Sequence, residues 1–393
     1  MDDRQWSPAE ARFLERTRGF AQDRVAPRAS TWVRDRQTCG ELLPEASRIG
    51  FLGLRVPIEM GGLGLTVRCQ IEACRLLAQA DFGVAMSLIN THNVAEQISR
   101  LANPEVRDRV LPELLAGRET GCTAITEAEV GSDVGAIQTL ASFDSAGWQI
   151  DGTKAWVINA RYASRIIVYA QTVLERRGTS GIAAFLIESH QPGFRRLEAR
   201  SDPGISSMGV GGFVLERYAC PGQCLIAEPG EAIRDILSAI NVARIYVAAM
   251  CCGMVEDCLN RAADYGMLRR TFGSPLHDHQ GWRWTLAEAE IELDALRLMV
   301  DRAAQLADLG HDIRSAAARV KVFATRVASR HIAALMHSLG AYGFSEELPF
   351  TRHLIGAQAA GLVDGSTEML LERISRDLRP CTPKTDRVTF HQD

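Results

Sequence analysis

The chain has 393 residues, of which 46% are hydrophobic and 23% charged, so it can bury a large core divided into two or three domains. A formal net charge of -4 and a sequence pI near 6.2 provide no basic field for a phosphate backbone, which argues against a nucleic-acid partner. The start is polar and acidic and no apolar run stands out as a membrane span, so a cytoplasmic protein without membrane contact is predicted.

Helices dominate the first section, from residue 1 to about 118. Apolar residues recur there at three and four spacing, which is the helical period. The pattern predicts helices over 8–25, 41–49, 67–80, 84–101 and 104–115. A glycine-rich loop at 56–64 follows no evident parallel strand, so it is a poor dinucleotide fingerprint. The section is predicted to be an N-terminal α-helical domain.

Between about 119 and 225 the hydrophobic period changes to two, as in the segment 147–158, which is typical of strands. Asp151-Gly152 within this segment predicts a hairpin turn, because Asp-Gly favours the turn types that join adjacent strands. Further strands are predicted at 165–171 and 182–187. The section is therefore predicted to be a middle β-domain.

Long amphipathic helices return beyond about 226 and are predicted at 232–265, 281–309, 314–339 and 367–378. Four helices of this kind indicate an antiparallel bundle over residues 226–393. The predicted fold class is α+β and mostly α, with an N-terminal helical domain, a middle β-domain and a C-terminal four-helix bundle.

The ten cysteines are scattered along the chain, a distribution that favours reduced, buried thiols over a disulfide framework. Cys220 and Cys224 form the one close pair with turn residues between them. No further Cys or His stands at a matching spacing, so the sequence predicts no metal site.

The segment 363–369 (VDGSTEM) precedes the last predicted helix. Asp364-Gly365 favours a turn, Ser366 is suited to cap the helix, and Glu368 falls in its first turn. On its own this composition indicates a capped helix start.

Five motifs occur in order along the chain: the loop at 56–64, TEAEVGSD at 126–133, WVIN at 156–159, RRTFG at 269–273 with Gln280, and an ungapped stretch from His337 to Ser366. In their order and spacing they resemble the acyl-CoA dehydrogenase family over nearly the whole chain. Each motif alone is weakly specific, whereas five motifs in order, together with the matching succession of helical and strand sections, are strong evidence for the resemblance. The resemblance implies a three-domain enzyme that binds FAD and forms a homo-oligomer, a dimer or a tetramer.

The resemblance also implies residues for FAD binding. Thr126 would contact the pyrimidine side of the flavin, Ser132 the flavin or the thioester arm of the substrate, and Trp156 the isoalloxazine ring. Turn chemistry at Thr126 and Ser132, and a core position for Trp156, are the structural alternatives. Seven further residues belong to the implied cofactor site: Ile158, Arg269, Phe272, Gln280, His337, Gly340 and Ser366. Of these, Arg269, Phe272 and Gln280 would reach the FAD of a neighbouring subunit.

The implied reaction is α,β-dehydrogenation of an acyl thioester presented by CoA or by an acyl-carrier protein. Asp364 would take the α-proton while the β-hydride passes to flavin N5. A ribityl hydroxyl and the backbone N–H of Asp364 would stabilise the enolate that develops. Asn90, Ser132 and Gly365 are the implied substrate contacts, and an electron-transferring flavoprotein is one expected electron acceptor.

Several positions depart from the family pattern. Asp364 replaces the usual glutamate, although nitroalkane oxidase of the same superfamily uses an aspartate base. Ala243 stands where some relatives carry the base just before an arginine. Ile158 replaces a threonine or serine that donates to flavin N5, His337 replaces a glutamine, and Ile355-Gly356 replaces an Arg-Asp pair. These departures indicate a specialised, biosynthetic relative.

Two other hypotheses remain open. One is a flavin oxidase or monooxygenase of the same fold that acts with oxygen on a small substrate, and the other is a protein that binds FAD or thioesters without turnover. The predicted helix at 84–101 carries the polar run SLINTHN at 87–93. Such a run either lines a pocket for a short or oxygenated acyl group or makes bonds within the domain.

Overall fold

A computed structural model describes residues 6–145, 147–172, 178–198 and 204–378. Its first section contains six α-helices among the described residues: α1 (Pro8–Phe20), α2 (Ala29–Arg34), α3 (Leu43–Arg48), α4 (Val67–Ala80), α5 (Phe82–Leu101) and α6 (Pro104–Leu115). Side chains at Ser7, Thr66, Asp81 and Asn103 cap α1, α4, α5 and α6 by accepting backbone N–H bonds. The predicted helix at 8–25 is α1 followed by a π-helical turn over Ala21–Val25.

The middle section forms one sheet of eight strands in the part of the chain that is described: β1 (Gly121–Ala124), β2 (Leu140–Asp144), β3 (Gly147–Val157), β4 (Arg165–Thr172), β5 (Ile182–Glu188), β6 (Phe194–Arg196), β7 (Gly211–Cys220) and β8 (Leu225–Ala227). The order is β6-β7-β3-β2-β4-β5-β8, and β1 pairs with β4. The β1–β4 and β2–β4 pairs are parallel, and the other pairs are antiparallel.

The hairpin predicted at Asp151-Gly152 is wrong. β3 runs through both residues and pairs with β2 on one side and β7 on the other. A register shift against β7 falls between Ile150 and Gly152, so the Asp-Gly pair lies at a β-bulge. The Asp151 carboxylate accepts from Arg217 N at 2.6 Å, which satisfies a backbone group beside the bulge.

The last section has five α-helices among its described residues: α7 (Glu231–Leu268), α8 (Gln280–Asp308), α9 (Arg314–Ser338), α10 (Phe350–Ala360) and α11 (Thr367–Asp377). A two-stranded hairpin, β9 (Arg270–Thr271) and β10 (Ser274–Pro275), follows α7. The sequence prediction of four helices missed α10. Its buried face is built from Phe350, His353, Gly356, Ala357 and Ala360, so small and polar residues hide the helical period.

Helix α7 is long and apolar enough to span a membrane by length and composition, which the sequence prediction overlooked. In the structure 67% of its apolar window is buried inside the protein. It packs between α4 and α9, as the central helix of a core does.

Helix α5 belongs to two hydrophobic cores. Its first half, from Phe82 to Ile89, packs in the core formed by the N-terminal and C-terminal helices. Val94, Ala95 and Ile98 in its second half pack in the core beneath the sheet. The helix therefore joins the β-domain to the helical domains. Residues of the two parts that contact α5 are held at a distance that depends on their positions along this helix.

Candidate active site

Asp364 lies in the turn between α10 and α11. Asp364 and Gly365 have φ angles of 55° and 98°, in the left-handed region that Gly adopts readily and Asp tolerates. Ser366 caps α11, because its hydroxyl accepts from Met369 N at 3.4 Å. This contact confirms the predicted helix start, and Asp364 stands half-buried at the bend.

Two cations hold the backbone of this turn. Lys321 on α9 donates from Nζ to the carbonyl of Gly365 at 2.5 Å and also to that of Val363. Arg244 on α7 donates from Nε to the carbonyl of Asp364 at 3.0 Å. Among the described residues the backbone N–H of Asp364 donates to no acceptor, so it is available to a ligand.

The surroundings of Asp364 shift the pKa values of three neighbouring groups, Asp364 itself, Lys321 and Tyr246. Burial raises the pKa of the Asp364 carboxyl, and the charges of Lys321 and Arg244 oppose that rise. Burial lowers the pKa of Lys321 to about 8, against the attraction of Asp364. For Tyr246 on α7, burial raises the pKa of the hydroxyl and the charge of Asp364 adds to the rise. A carboxyl whose pKa moves toward neutrality is suited to proton transfer.

On the sheet, Thr126 and Trp156 lie next to each other, because Ala155 N donates to the carbonyl of Thr126 at 3.0 Å. Trp156 is 55% exposed, and its φ of 58° lies in a region that costs a non-glycine residue about 1–3 kcal/mol. An exposed indole held in a strained conformation beside a hydroxyl fits a flat ring with polar edges. Ile158 is half-buried against the helical core, and its side chain offers such a ring no hydrogen-bond donor.

A buried ion pair anchors the loop that carries Thr126. Lys154 has no exposed surface and donates to Glu127 Oε1 at 2.9 Å and to the carbonyl of Ile125 at 2.8 Å. Glu127 also accepts from Thr139 N at 2.8 Å and from its hydroxyl at 2.5 Å. Burial lowers the pKa of Lys154 to about 8, and the Glu127 charge opposes this. The pair thus ties the loop to β3 directly before Trp156.

The polar run at 87–93 is used mainly inside the protein. Ser87 bonds the hydroxyl of Tyr162 at 2.6 Å, and Thr91 donates to the carbonyl of Ser87 at 3.4 Å. His92 is buried with Nδ1 at 3.2 Å from the carbonyl of Leu52. The alternative of bonds within the domain is therefore found for Thr91 and His92, whereas Ser87 bonds to Tyr162 of the β-domain.

The same run connects the sheet to the surroundings of Asp364. Asn159, three residues after Trp156, donates to the carbonyl of Ser87 at 2.9 Å. Asn93 donates to the Tyr246 hydroxyl at 3.1 Å. Residues 87 and 93 are about 9 Å apart along the helix axis at 1.5 Å per residue. The segment that carries Trp156 and the residue next to Asp364, Tyr246, are thus both hydrogen-bonded to one short part of α5. Asn90 accepts from Thr123 N at 3.3 Å between them.

The remaining predicted cofactor residues lie elsewhere, at one end of the C-terminal helices. Trp282 on α8 donates to the carbonyl of Ser338 at 3.2 Å, and Tyr265 and Tyr342 stack with ring centroids 5.3 Å apart. These contacts gather an exposed group of five residues: Arg269, Phe272, Gln280, His337 and Gly340. In the described part of the chain no hydrogen bond or ion pair joins this group, or the exposed Ser132, to Asp364.

A cleft of about 680 Å³ opens beside Arg244. Thr179 and Ser180 of the β-domain line one side of it, and α7 and the start of α9 line the other. Five basic side chains line it: Arg234, Arg244, His311, Arg314 and Arg373. Asp312 is the single carboxylate in the lining. Because Asp312 pairs with Arg314 at 2.6 Å, the lining suits a ligand that carries phosphate groups.

The sequence prediction missed Lys321 and Tyr246. It included Asn93 only within the polar run at 87–93, and it named Arg244 only as a neighbour of an absent base. One signal was present in the composition. Three of the 44 basic residues are lysines, and the two in the described part, Lys154 and Lys321, are both buried. A buried lysine in an apolar helix needs acceptors, which points to a polar site nearby.

The chain matches three family models, described as the N-terminal, middle and C-terminal domains of acyl-CoA dehydrogenase, over residues 7–118, 122–218 and 231–379. It is 28% identical to the mitochondrial short-chain specific acyl-CoA dehydrogenase of Bos taurus, over 92% of this chain and 88% of that protein. The structure of butyryl-CoA dehydrogenase from Megasphaera elsdenii superposes with a TM-score of 0.90 at 28% identity, over 96% of this chain and 99% of that one.

A glutaryl-CoA dehydrogenase from Mycobacterium smegmatis in complex with FADH2 gives a TM-score of 0.90 at 25% identity, over 96% of each chain. The exposed indole and the neighbouring hydroxyl described above are compatible with such a cofactor. The chain therefore belongs to the acyl-CoA dehydrogenase family and is an FAD-dependent oxidoreductase with its three-domain fold.

Proposed function

We propose that this protein oxidises an acyl thioester and that Asp364 is the base that removes the α-proton. One observation carries the proposal: a half-buried carboxyl with a raised pKa occupies the turn before α11, beside a basic cleft. Thr126 and Trp156, which would contact FAD, lie beside Asn159, and Asn159 bonds the same segment of α5 that contacts Tyr246, the neighbour of Asp364.

In this mechanism the Asp364 carboxylate accepts the α-proton, and its own backbone N–H donates to the thioester oxygen as negative charge develops there. When bound, FAD supplies the acceptor for the hydride that leaves the β-carbon. Arg244 and Lys321 keep the turn in place. We infer Asn90, Ser132 and Gly365 as substrate contacts, and Ile158, His337, Gly340 and Ser366 as further cofactor contacts.

The basic cleft fits a phosphopantetheine thioester, which is the reactive arm of both CoA and acyl-carrier proteins. Near Asp364 the environment favours an oxygen-bearing acyl group. The Tyr246 hydroxyl accepts from Asn93, and among the described residues it donates to no acceptor, so its proton is available to a substrate oxygen. We therefore favour a short hydroxyacyl or oxoacyl thioester over a plain alkyl chain.

The test is an anaerobic titration of the FAD-loaded protein with acyl and hydroxyacyl thioesters, each as the CoA form and as the carrier-protein form. We expect at least one of them to bleach the flavin absorbance, and hydroxyacyl forms to do so faster than plain acyl forms of the same length. Slow reoxidation in air and fast reoxidation by an electron-transferring flavoprotein are also expected. Rapid reaction with oxygen would favour an oxidase instead, and a spectrum that no thioester bleaches would favour a binding protein without turnover.

We also propose that the protein is a homo-oligomer, a dimer or a tetramer. Trp284, Ile291 and Leu298 on α8 are 59%, 69% and 67% exposed, and their spacing of seven places them on one face of the helix. Phe272, in the hairpin after α7, is fully exposed. An apolar stripe of this length with an aromatic at its end suits a second copy of the chain.

Ile291→Asp should shift the protein toward a smaller species, because it places a charge in the centre of the proposed interface. Light scattering coupled to gel filtration measures the change. Ile58→Asp is the matched control, since Ile58 is 72% exposed and lies in the glycine-rich loop of the N-terminal helices. An unchanged mass for Ile291→Asp would show that this face of α8 is not an interface.

We further propose the cytoplasm as the site of action. The nine cysteines in the described part of the chain are all free and buried, as expected for a protein kept in a reducing compartment.

A further inference from the structure

Three successive carbonyl groups around Asp364 are held by two cations from different helices. Those of Val363 and Gly365 accept from Lys321 on α9, and that of Asp364 accepts from Arg244 on α7. These contacts alternate along a turn in which Asp364 and Gly365 both have left-handed φ angles. The hydrogen bonds from both cations help to offset the cost of this conformation.

We propose that Lys321 is a positioning residue for the base, because it fixes the turn so that the carboxyl and the free N–H of Asp364 face the same substrate. The inference rests on the proposed function of Asp364. Lys321 does not touch the reacting atoms; it acts through the two carbonyls that flank the base.

Lysine suits this position better than arginine. Its ammonium group is a compact point charge with three N–H donors, so one atom can serve two carbonyls that point into the same small space. Arginine makes up all but three of the 44 basic residues, yet this buried position, 1% exposed, keeps a lysine. A planar guanidinium would require a wider space between α9 and the turn.

The charged and titratable groups that face Lys321 are Asp364 in the turn and Arg244 and Cys251 on α7. Of these, Asp364 attracts the ammonium and Arg244 repels it. Lys321 in turn holds the pKa of Asp364 down against burial. Removing the ammonium therefore raises the pKa of Asp364. The carboxylate form needed for proton abstraction then appears only at higher pH.

The experiment measures the rate of flavin reduction by a thioester substrate as a function of pH in the intact FAD-loaded protein. In Lys321→Met we expect the midpoint of the profile to move upward by about one pH unit or more, as for a carboxyl that loses a nearby cation. We expect the rate at neutral pH to fall at least about tenfold, with FAD still bound. If Lys321→Met does not fold, the same measurement is made on Lys321→Gln, whose side chain is uncharged but polar.

An independent measurement follows the carboxyl of Asp364 without turnover. Infrared difference spectra of the protein between low and neutral pH should contain a carboxyl band that is absent in Asp364→Asn. That band should titrate at higher pH in the Lys321 variants than in the wild type. Thr325→Val is the matched control, because Thr325 lies one turn further on α9 and donates to the carbonyl of Lys321 at 3.2 Å. It should leave both midpoints unchanged.

Unmoved midpoints in both Lys321 variants, with a normal rate at neutral pH, would overturn the inference. This result differs from failure of the proposed function, in which Asp364→Ala itself would still permit flavin reduction. A loss of stability in Lys321→Met with no shift in either titration would also overturn it, since lysine would then only support the fold.

Discussion

Asp364→Ala is expected to lower the rate of flavin reduction by a thioester substrate by about a thousandfold or more, which lies within the usual contribution of a positioned general base. The loss arises because the substitution removes the carboxylate from the turn that Arg244 and Lys321 hold. FAD binding should remain, since most of the residues proposed to contact it lie on the sheet and at one end of the C-terminal helices. Stopped-flow absorbance under anaerobic conditions measures the rate.

Two further variants at the same position sharpen this result. Asp364→Asn keeps the size of the side chain and should be as inactive as Asp364→Ala, because the amide cannot accept the proton. Asp364→Glu moves the carboxylate outward by one methylene, and a misplacement of about 1 Å can cost on the order of a hundredfold. We expect it to slow the native reaction. Reduction at the wild-type rate in Asp364→Ala would remove this residue from the mechanism.

The pH dependence of the wild-type rate follows from the same group. Burial raises the pKa of Asp364, with the charges of Lys321 and Arg244 opposing the rise. The base is protonated below that pKa and ionised above it, so the rate should increase as the pH rises through it. Asp364→Asn should lack this limb of the profile.

Glu127→Leu is expected to destabilise the protein by about 3–5 kcal/mol, the usual cost of removing one partner of a buried ion pair. The change leaves the buried ammonium of Lys154 with the carbonyl of Ile125 as its remaining partner, and Thr139 loses its acceptor. Because the loop of Thr126 is anchored by this pair, weaker FAD binding should accompany the loss of stability. Urea unfolding followed by circular dichroism measures the free energy change.

The double variant Glu127→Leu/Lys154→Met should recover much of the stability, since it buries no unpaired charge.

The pKa of Lys154 is lowered by burial to about 8 in the folded protein, below its value in the unfolded chain, so stability from this group rises as the pH increases above 8. Removal of Glu127 takes away the charge that raises the pKa of Lys154, so in Glu127→Leu this gain in stability begins at a lower pH than in the wild type. The difference in stability between Glu127→Leu and the wild type should therefore be largest at low pH and should narrow as the pH rises toward 8.

Glu113→Ala is the control for the ion-pair experiment, because Glu113 pairs with Arg118 at 2.6 Å on the surface. An exposed pair contributes little to stability, so this variant should unfold at nearly the same urea concentration as the wild type. A loss in Glu127→Leu no larger than that in Glu113→Ala would show that the buried pair does not anchor the loop.

Some features of the fold were predictable from sequence because their causes are local. The bounds of α4 and α6 agree with the prediction to the residue, since Thr66 and Asn103 cap those helices and apolar residues repeat at the helical period within them. Where the local signal conflicts with pairing, prediction failed. Asp151-Gly152 has the composition of a turn, yet β3 continues through it because β2 and β7 hydrogen-bond on both sides.

The sequence by itself therefore determined the order of the helical and sheet sections, the capped start of α11 and the position of Asp364 within its motif, all of which depend on neighbours a few residues away. Only the tertiary structure decided what surrounds Asp364. Arg244 and Lys321 are 120 and about 43 positions away in the chain, and Asn93 reaches Tyr246 from another domain. Packing of α5, α7 and α9 around one turn brings these groups together, and no local pattern in the sequence encodes that packing.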